Sequence, residues 1–143
     1  MIAIGLHHID LRVSDYARSV EFYDQTLIPI GFRRAHIKEE TVTYYLKGST
    51  SIGIRPLKRR KNVTDVSYSY SRAGLHHIAI SVARKREVDE FYELLKKLGI
   101  PILYPPRRYD RYAKGYYSVF FLDPDGIDLE VVYWPYRRSK LSG

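Results

Sequence analysis

The sequence predicts an α+β fold built as two βαβββ modules that together form a curled mixed sheet. Three observations carry that reading. The phrase Leu6-His7-His8-Ile9 recurs as Leu75-His76-His77-Ile78. Phe22-Tyr23 recurs as Phe91-Tyr92 at the same offset. Each copy then passes from two-residue alternation into three- and four-residue spacing and back again, as a strand, a helix and further strands would. One offset kept over two separate phrases marks two copies of one structural unit.

In the first module, residues 5 to 13 alternate, with Ile9, Leu11 and Val13 on one face and His8, Asp10 and Arg12 on the other. Tyr16, Val20, Tyr23 and Leu27 then step at helical spacing, with Ser14 or Asp15 available as N-cap. Strand-like segments follow at about 31 to 37, 41 to 47 and 50 to 56. The second module repeats the plan. Ile78, Ile80 and Val82 oppose His77, Ala79 and Ser81, and Val88, Phe91, Tyr92, Leu95 and Leu98 form a helical stripe that stops at Gly99. Strands are expected at 102 to 104, 116 to 122 and 127 to 133, the last two joined by the turn Asp123-Pro124-Asp125-Gly126. One domain over 1–143 is expected: module one at 5–56, a polar linker at 57–73, module two at 74–134 and a basic tail at 135–143. Residues 105 to 115 read as a Tyr/Arg-rich loop.

Composition narrows the function classes. The chain has 143 residues, enough to bury a core, and no apolar run near the roughly 20 residues that cross a bilayer. The first repeat follows Met1 so closely that no signal peptide is expected, and a cytoplasmic location is. Without cysteine there is neither a disulfide framework nor a thiolate metal site. The net charge of +8 gathers at Arg55 to Lys61, Arg84 to Arg86, Arg107 to Arg111 and Arg137 to Lys140, in expected loops and ends. Solvated surface charge is the reading, so neither nucleic acid nor membrane is an expected partner. Gln25 and Asn62 are the sole side-chain amides, a composition that hints at a heat-adapted source.

Four of the five histidines lie in the repeated phrase. By alternation His8 and His77 point away from the apolar face, whereas His7 and His76 lie on the apolar side, suited to packing or a supporting hydrogen bond. His36 has no repeat partner and reads as a surface residue. In the last strand Leu129 and Val131 belong to the core, so Glu130 faces the way His8 and His77 do. Strands curled around a metal cleft would let two imidazoles and one carboxylate converge on one ion. Such a donor set suits Fe, Mn, Zn, Ni or Co and leaves positions open for substrate oxygens.

The His-Ile that opens each module, and Phe120-Phe121-Leu122-Asp123-Pro124-Asp125-Gly126-Ile127-Asp128-Leu129-Glu130 near the end, resemble the vicinal oxygen chelate superfamily. That group includes glyoxalase I, extradiol dioxygenases, and the fosfomycin- and bleomycin-resistance proteins. The similarity runs over about residues 5 to 134. Pro106 to Tyr112, with Gly115-Tyr116-Tyr117, is similar to a small, largely uncharacterised two-module branch. The resemblance implies His8, His77 and Glu130 as ligands of one divalent transition metal ion. The fourth acid or amide of the superfamily falls at Gly53, which departs from the four-ligand pattern of glyoxalase I and leaves a three-ligand set.

The expected activity is metal-dependent chelation of neighbouring oxygens on a small-molecule substrate, with an oxyanion or enolate stabilised in lyase, isomerase or ring-cleaving dioxygenase chemistry. The alternative is a ligand-sequestering protein of the bleomycin-resistance type. Glu130 and Tyr116 are the catalytic candidates; Ser118, Phe120 and Arg55 are the substrate-binding ones, since alternation turns Tyr116, Ser118 and Phe120 to the cleft and Arg55 shares parity with Gly53. Small members of the superfamily pair, so a homodimer is expected.

Overall fold

A computed structural model describes residues 5–38, 41–46, 50–58, 68–69, 71 and 73–135, excluding the side chains of 36–38. The His36 side chain, most of the 57–73 linker and the tail beyond 135 lie outside the described residues. The chain divides into two units, Met1–Ser67 and Tyr68–Gly143. Each carries one helix and one four-stranded mixed sheet.

In the first unit β1 (His8–Val13) leads to α1 (Tyr16–Leu27), a short 3-10 turn (Ile28–Ile30), and β2 (Arg33–Lys38), β3 (Thr41–Tyr45) and β4 (Ser51–Pro56). The sheet order is β1-β4-β3-β2, with β1 parallel to β4 and the other pairs antiparallel. Asp15 caps α1 by accepting a hydrogen bond from the Arg18 amide at 3.0 Å. Tyr23 and Leu27 bury against Leu11, Val13, Val42, Tyr44, Ile52 and Ile54, so the predicted apolar faces are the core. The Tyr44 hydroxyl crosses to the helix, donating to the Val20 carbonyl (3.0 Å) and the Asp24 carboxylate (2.8 Å).

The opposite face of this sheet is polar. In its middle row Asp10 stands beside Gly53, and Gly53 beside Thr43. The Asp10 carboxylate lies across Gly53: a Cβ at that position would run into Asp10 Oδ1. Its other oxygen accepts from Arg55 Nε at 2.7 Å. Glycine at 53 therefore has a local cause, as the space above it already holds an acid from the next strand.

The second unit repeats the plan with β5 (Ile78–Ser81), α2 (Lys85–Lys97), β6 (Ile102–Arg108), β7 (Tyr117–Leu122) and β8 (Asp128–Tyr133), ordered β5-β8-β7-β6. Glu87 reaches back to the Ala83 and Arg84 amides, both at 2.9 Å, and Gly99 ends the helix region at φ 67°. Val88, Phe91 and Leu95 pack on Val119, Phe121, Leu129 and Val131. At the β7–β8 turn Asp123 Oδ1 accepts from the Asp125 and Ile127 amides (2.9 and 2.7 Å), and Gly126 takes φ 85°.

One expectation is corrected here. The loop foreseen from residue 105 begins later, because β6 continues through Pro105 and Pro106 to Arg108. An edge strand tolerates proline, since its outward amides have no neighbour to bond, and β6 is an edge. Among the described residues no helix is long and apolar enough to cross a membrane.

Two outcomes follow. Burial, then the hydrogen bond to Asp24, pushes the Tyr44 hydroxyl well above its ordinary pKa. The unfolded phenol ionises near pH 10 while the native one keeps its proton, so stability falls as pH rises beyond that point. Tyr44→Phe should cost about 1–2 kcal/mol at pH 7 and flatten the alkaline slope by up to about 1.4 kcal/mol per pH unit in chemical denaturation. In a double-mutant cycle, Asp10 and Arg55 should couple by about 0.5 kcal/mol. The coupling should vanish in the Gly53→Ala background, where Asp10 must swing away; an unchanged coupling there contradicts the packing.

Candidate functional site

The site of the second unit is built on the row where Ala79 of β5, Glu130 of β8 and Phe120 of β7 stand side by side. Alternation sends Leu129 and Val131 into the core and turns Glu130 to the other face, where its side chain is only 1% exposed. A carboxylate so deeply buried needs partners for both oxygens. Oε1 accepts from the Tyr116 hydroxyl at 2.9 Å, and Oε2 lies 3.3 Å from His77 Nε2. The Phe120 ring meets the His77 ring edge to face at 5.8 Å.

His77 is itself held from behind. Its Nδ1 lies 2.6 Å from His76 Nδ1, and the same arrangement joins His7 and His8 at 2.9 Å. A hydrogen bond between two Nδ1 atoms needs one donor and one acceptor, which leaves Nε2 of His77 as the nitrogen facing Glu130. This corrects the placement of His7 and His76 on the apolar side, since both rings are exposed. Alternation holds only within a strand, and His7 and His76 precede β1 and β5.

The fit to a cation can be tested on these atoms. Two ligand bonds of about 2.1 Å would span the 3.3 Å gap between His77 Nε2 and Glu130 Oε2 at roughly 104°, between octahedral and tetrahedral values. The donor types, one imidazole nitrogen and one carboxylate oxygen, also fit. Among the described residues, neither unit alone brings three His, Cys, Asp or Glu side chains together. His77 and Glu130 are thus a pair that needs a donor from elsewhere to complete a protein triad.

Burial, reinforced by the Glu130 charge, pushes the Tyr116 hydroxyl upward in pKa. It keeps its proton through the neutral range and acts as a donor. Sequence reasoning missed Asp128, which shares the parity of Glu130 and is 6% exposed. Burial raises its pKa, opposed by His77 and His76. Among the described residues its Oδ1 finds no hydrogen-bond partner.

These groups open on a cleft of about 780 Å3 within the second unit, walled by Tyr104, Arg107, Tyr109, Tyr116 and Phe120 with His77 and Glu130. Phe120 and Tyr116 line this cleft. Ser118 shares their face but is fully buried and does not line the cavity. Arg55 and His8 belong to the first unit. Arg55 Nε is committed to Asp10, and His8 stands exposed at the start of β1 opposite Ser51.

Comparison with known proteins agrees with this architecture. The family model of the Glyoxalase/Bleomycin resistance protein/Dioxygenase superfamily matches residues 5–131. The uncharacterised protein YqjT of Bacillus subtilis strain 168 is 30% identical over 134 residues, covering 89% of this chain and 97% of its own. The metallothiol transferase FosB of Staphylococcus haemolyticus is 30% identical over 129 residues, covering 89% and 81%. A glyoxylase/bleomycin resistance protein/dioxygenase domain from Frankia sp. EAN1pec shares the fold, with a TM-score of 0.72 at 24% identity over 92% of this chain and 98% of that one. With a match that takes in both modules from the first histidine pair to the last strand, the chain belongs to the glyoxalase/bleomycin resistance protein/dioxygenase superfamily.

Proposed function

We propose that this protein is a divalent-metal-dependent enzyme acting on a small oxygenated molecule, with His8, His77 and Glu130 as its metal ligands. One observation carries the reading: an almost fully buried carboxylate faces an imidazole nitrogen across a gap that one cation would fill. Burying Glu130 without a counter-charge costs several kcal/mol, and a bound cation offsets that cost. Nitrogen and oxygen donors without sulfur suit Fe, Mn, Zn, Ni or Co. When bound, such an ion supplies Lewis acidity toward adjacent substrate oxygens.

The chain's own residues do the remaining work. Tyr116 fixes the Glu130 carboxylate and carries a proton at its hydroxyl, so its role is that of a positioning donor rather than a base. His76 fixes the His77 ring through Nδ1. Phe120 stands beside Glu130 in the sheet and, with Tyr104 against it, gives the cleft an aromatic wall. Similarity to the metallothiol transferase FosB favours transfer of a thiol onto the bound substrate over a purely sequestering role. His8 joins His77 and Glu130 when the two modules work as one domain, within one chain or across a homodimer, in the cytoplasm.

Protein purified without chelator should carry close to one equivalent of transition metal by elemental analysis. His77→Ala or His8→Ala should weaken metal affinity by about a hundredfold or more in calorimetric titration, and His76→Ala by about tenfold. Metal-free protein that still binds ligands, with affinities unmoved by these substitutions, would instead make it a sequestering protein. Light scattering should report a mass near twice 16.8 kDa at micromolar concentration.

A further inference from the structure

The cleft of the second unit carries a feature that the metal reading leaves unused. Along β6 and β7, Tyr104 stands opposite Phe120 and Arg107 opposite Ser118, so three steps on β6 match two on β7. The extra residue falls at Pro105–Pro106, a bulge on the edge strand. Without it, two-residue alternation would put Tyr104 and Arg107 on opposite faces. With it, both face the cleft.

Arg107 is held there by rings. Its guanidinium carbon lies 5.1 Å from the Tyr104 ring centre and 4.7 Å from that of Tyr109. Tyr109 is 6% exposed and stacks on Tyr112, with 14° between planes. Phe120 meets Tyr104 at 5.9 Å, Tyr109 at 5.6 Å and His77 at 5.8 Å, so an unbroken aromatic wall joins His77 to Arg107. Among the described residues no carboxylate pairs with Arg107 or Arg111. The cleft therefore has an acidic floor at Asp128 and Glu130 and a basic rim at Arg107 and Arg111. Two strands and one row separate Glu130 from Arg107, about 12 Å between Cα atoms at ordinary sheet spacings.

We propose that this cleft takes an elongated small molecule with an aromatic body and a terminal oxyanion, the body against Tyr104, Tyr109 and Phe120 and the oxyanion on Arg107. The two rings flank the guanidinium at these distances, and among the described residues no carboxylate takes its N–H groups, which suits bidentate pairing with a carboxylate or phosphonate. A small aliphatic anion on Arg107 would fill little of the cavity and leave most of the ring wall uncovered. The inference names a substrate class for the site proposed above and rests on that reading only for the end that faces His77 and Glu130.

The test is calorimetric titration of the full chain, chelator-treated and Mn-loaded, with 2-naphthoate, phenylphosphonate, neutral 2-naphthol and propylphosphonate. The two aromatic anions should bind best, their relative affinity showing whether carboxylate or phosphonate is preferred. Arg107→Met should weaken both by about tenfold or more and leave 2-naphthol unchanged, with Arg107→Lys intermediate. Retention of that pattern in chelated protein would support the clamp even where the metal reading fails. Binding that depends on metal but ignores Arg107 would overturn the clamp and spare the metal. So would 2-naphthol matching 2-naphthoate, propylphosphonate matching phenylphosphonate, absence of binding by every probe, or self-association that closes the cleft and depends on Arg107.

Discussion

The parallel pairing of the first strand of each module with its last is the constraint on which the site depends. A parallel pair cannot be closed by a tight turn, so the chain must travel through a helix and two strands before returning. That detour brings residues from opposite ends of a module into one row: Asp10 beside Gly53, and Ala79 beside Glu130. The helix covers one sheet face and claims the apolar residues there. Each buried Leu, Ile, Val or Phe contributes about 1.5–3 kcal/mol, and Val119, Phe121, Leu129 and Val131 together outweigh the several kcal/mol that burying Glu130 costs. The core thus holds an acid where solvation alone would not leave one.

What surrounds Glu130 follows from that burial. Each carboxylate oxygen has its own partner, Tyr116 on one side and His77 on the other, and His77 is held in turn by His76. A donor set whose orientations are fixed by neighbours loses little freedom when a ligand arrives. The duplicated His-His phrase acquires a physical meaning here, because in both units the first ring of the pair holds the second through Nδ1.

Much of this was legible in the sequence, and the exceptions have physical causes. Alternation placed Leu129 and Val131 inside and Glu130 outside, and Asp-Pro-Asp-Gly marked the β7–β8 turn, because both signals are local. The parity of His7 and His76 misled because neither residue lies within a strand. The course of β6 was hidden by Pro105 and Pro106, which read as a loop until the strand is known to be an edge. Arg107 was hidden by the bulge, since one extra residue inverts every parity beyond it. The Asp10–Arg55 pair required the β1–β4 register, which no periodicity reports. Asp128 was within reach, having the parity of Glu130, but its burial comes from tertiary packing that no local pattern reports.

The two modules have diverged at the row that matters. In the second, a small residue on the first strand makes room for an acid on the last; in the first, an acid on the first strand occupies the space above a glycine on the last. The exchange is not neutral. Glu130 is almost fully buried, and its carboxylate faces an imidazole and a phenol. Asp10 is partly exposed and already balanced by Arg55. A fourth ligand at position 53 would have to displace that pair and bring a second buried charge with it. A three-ligand reading leaves the Asp10–Arg55 pair intact, whereas a four-ligand one would break it.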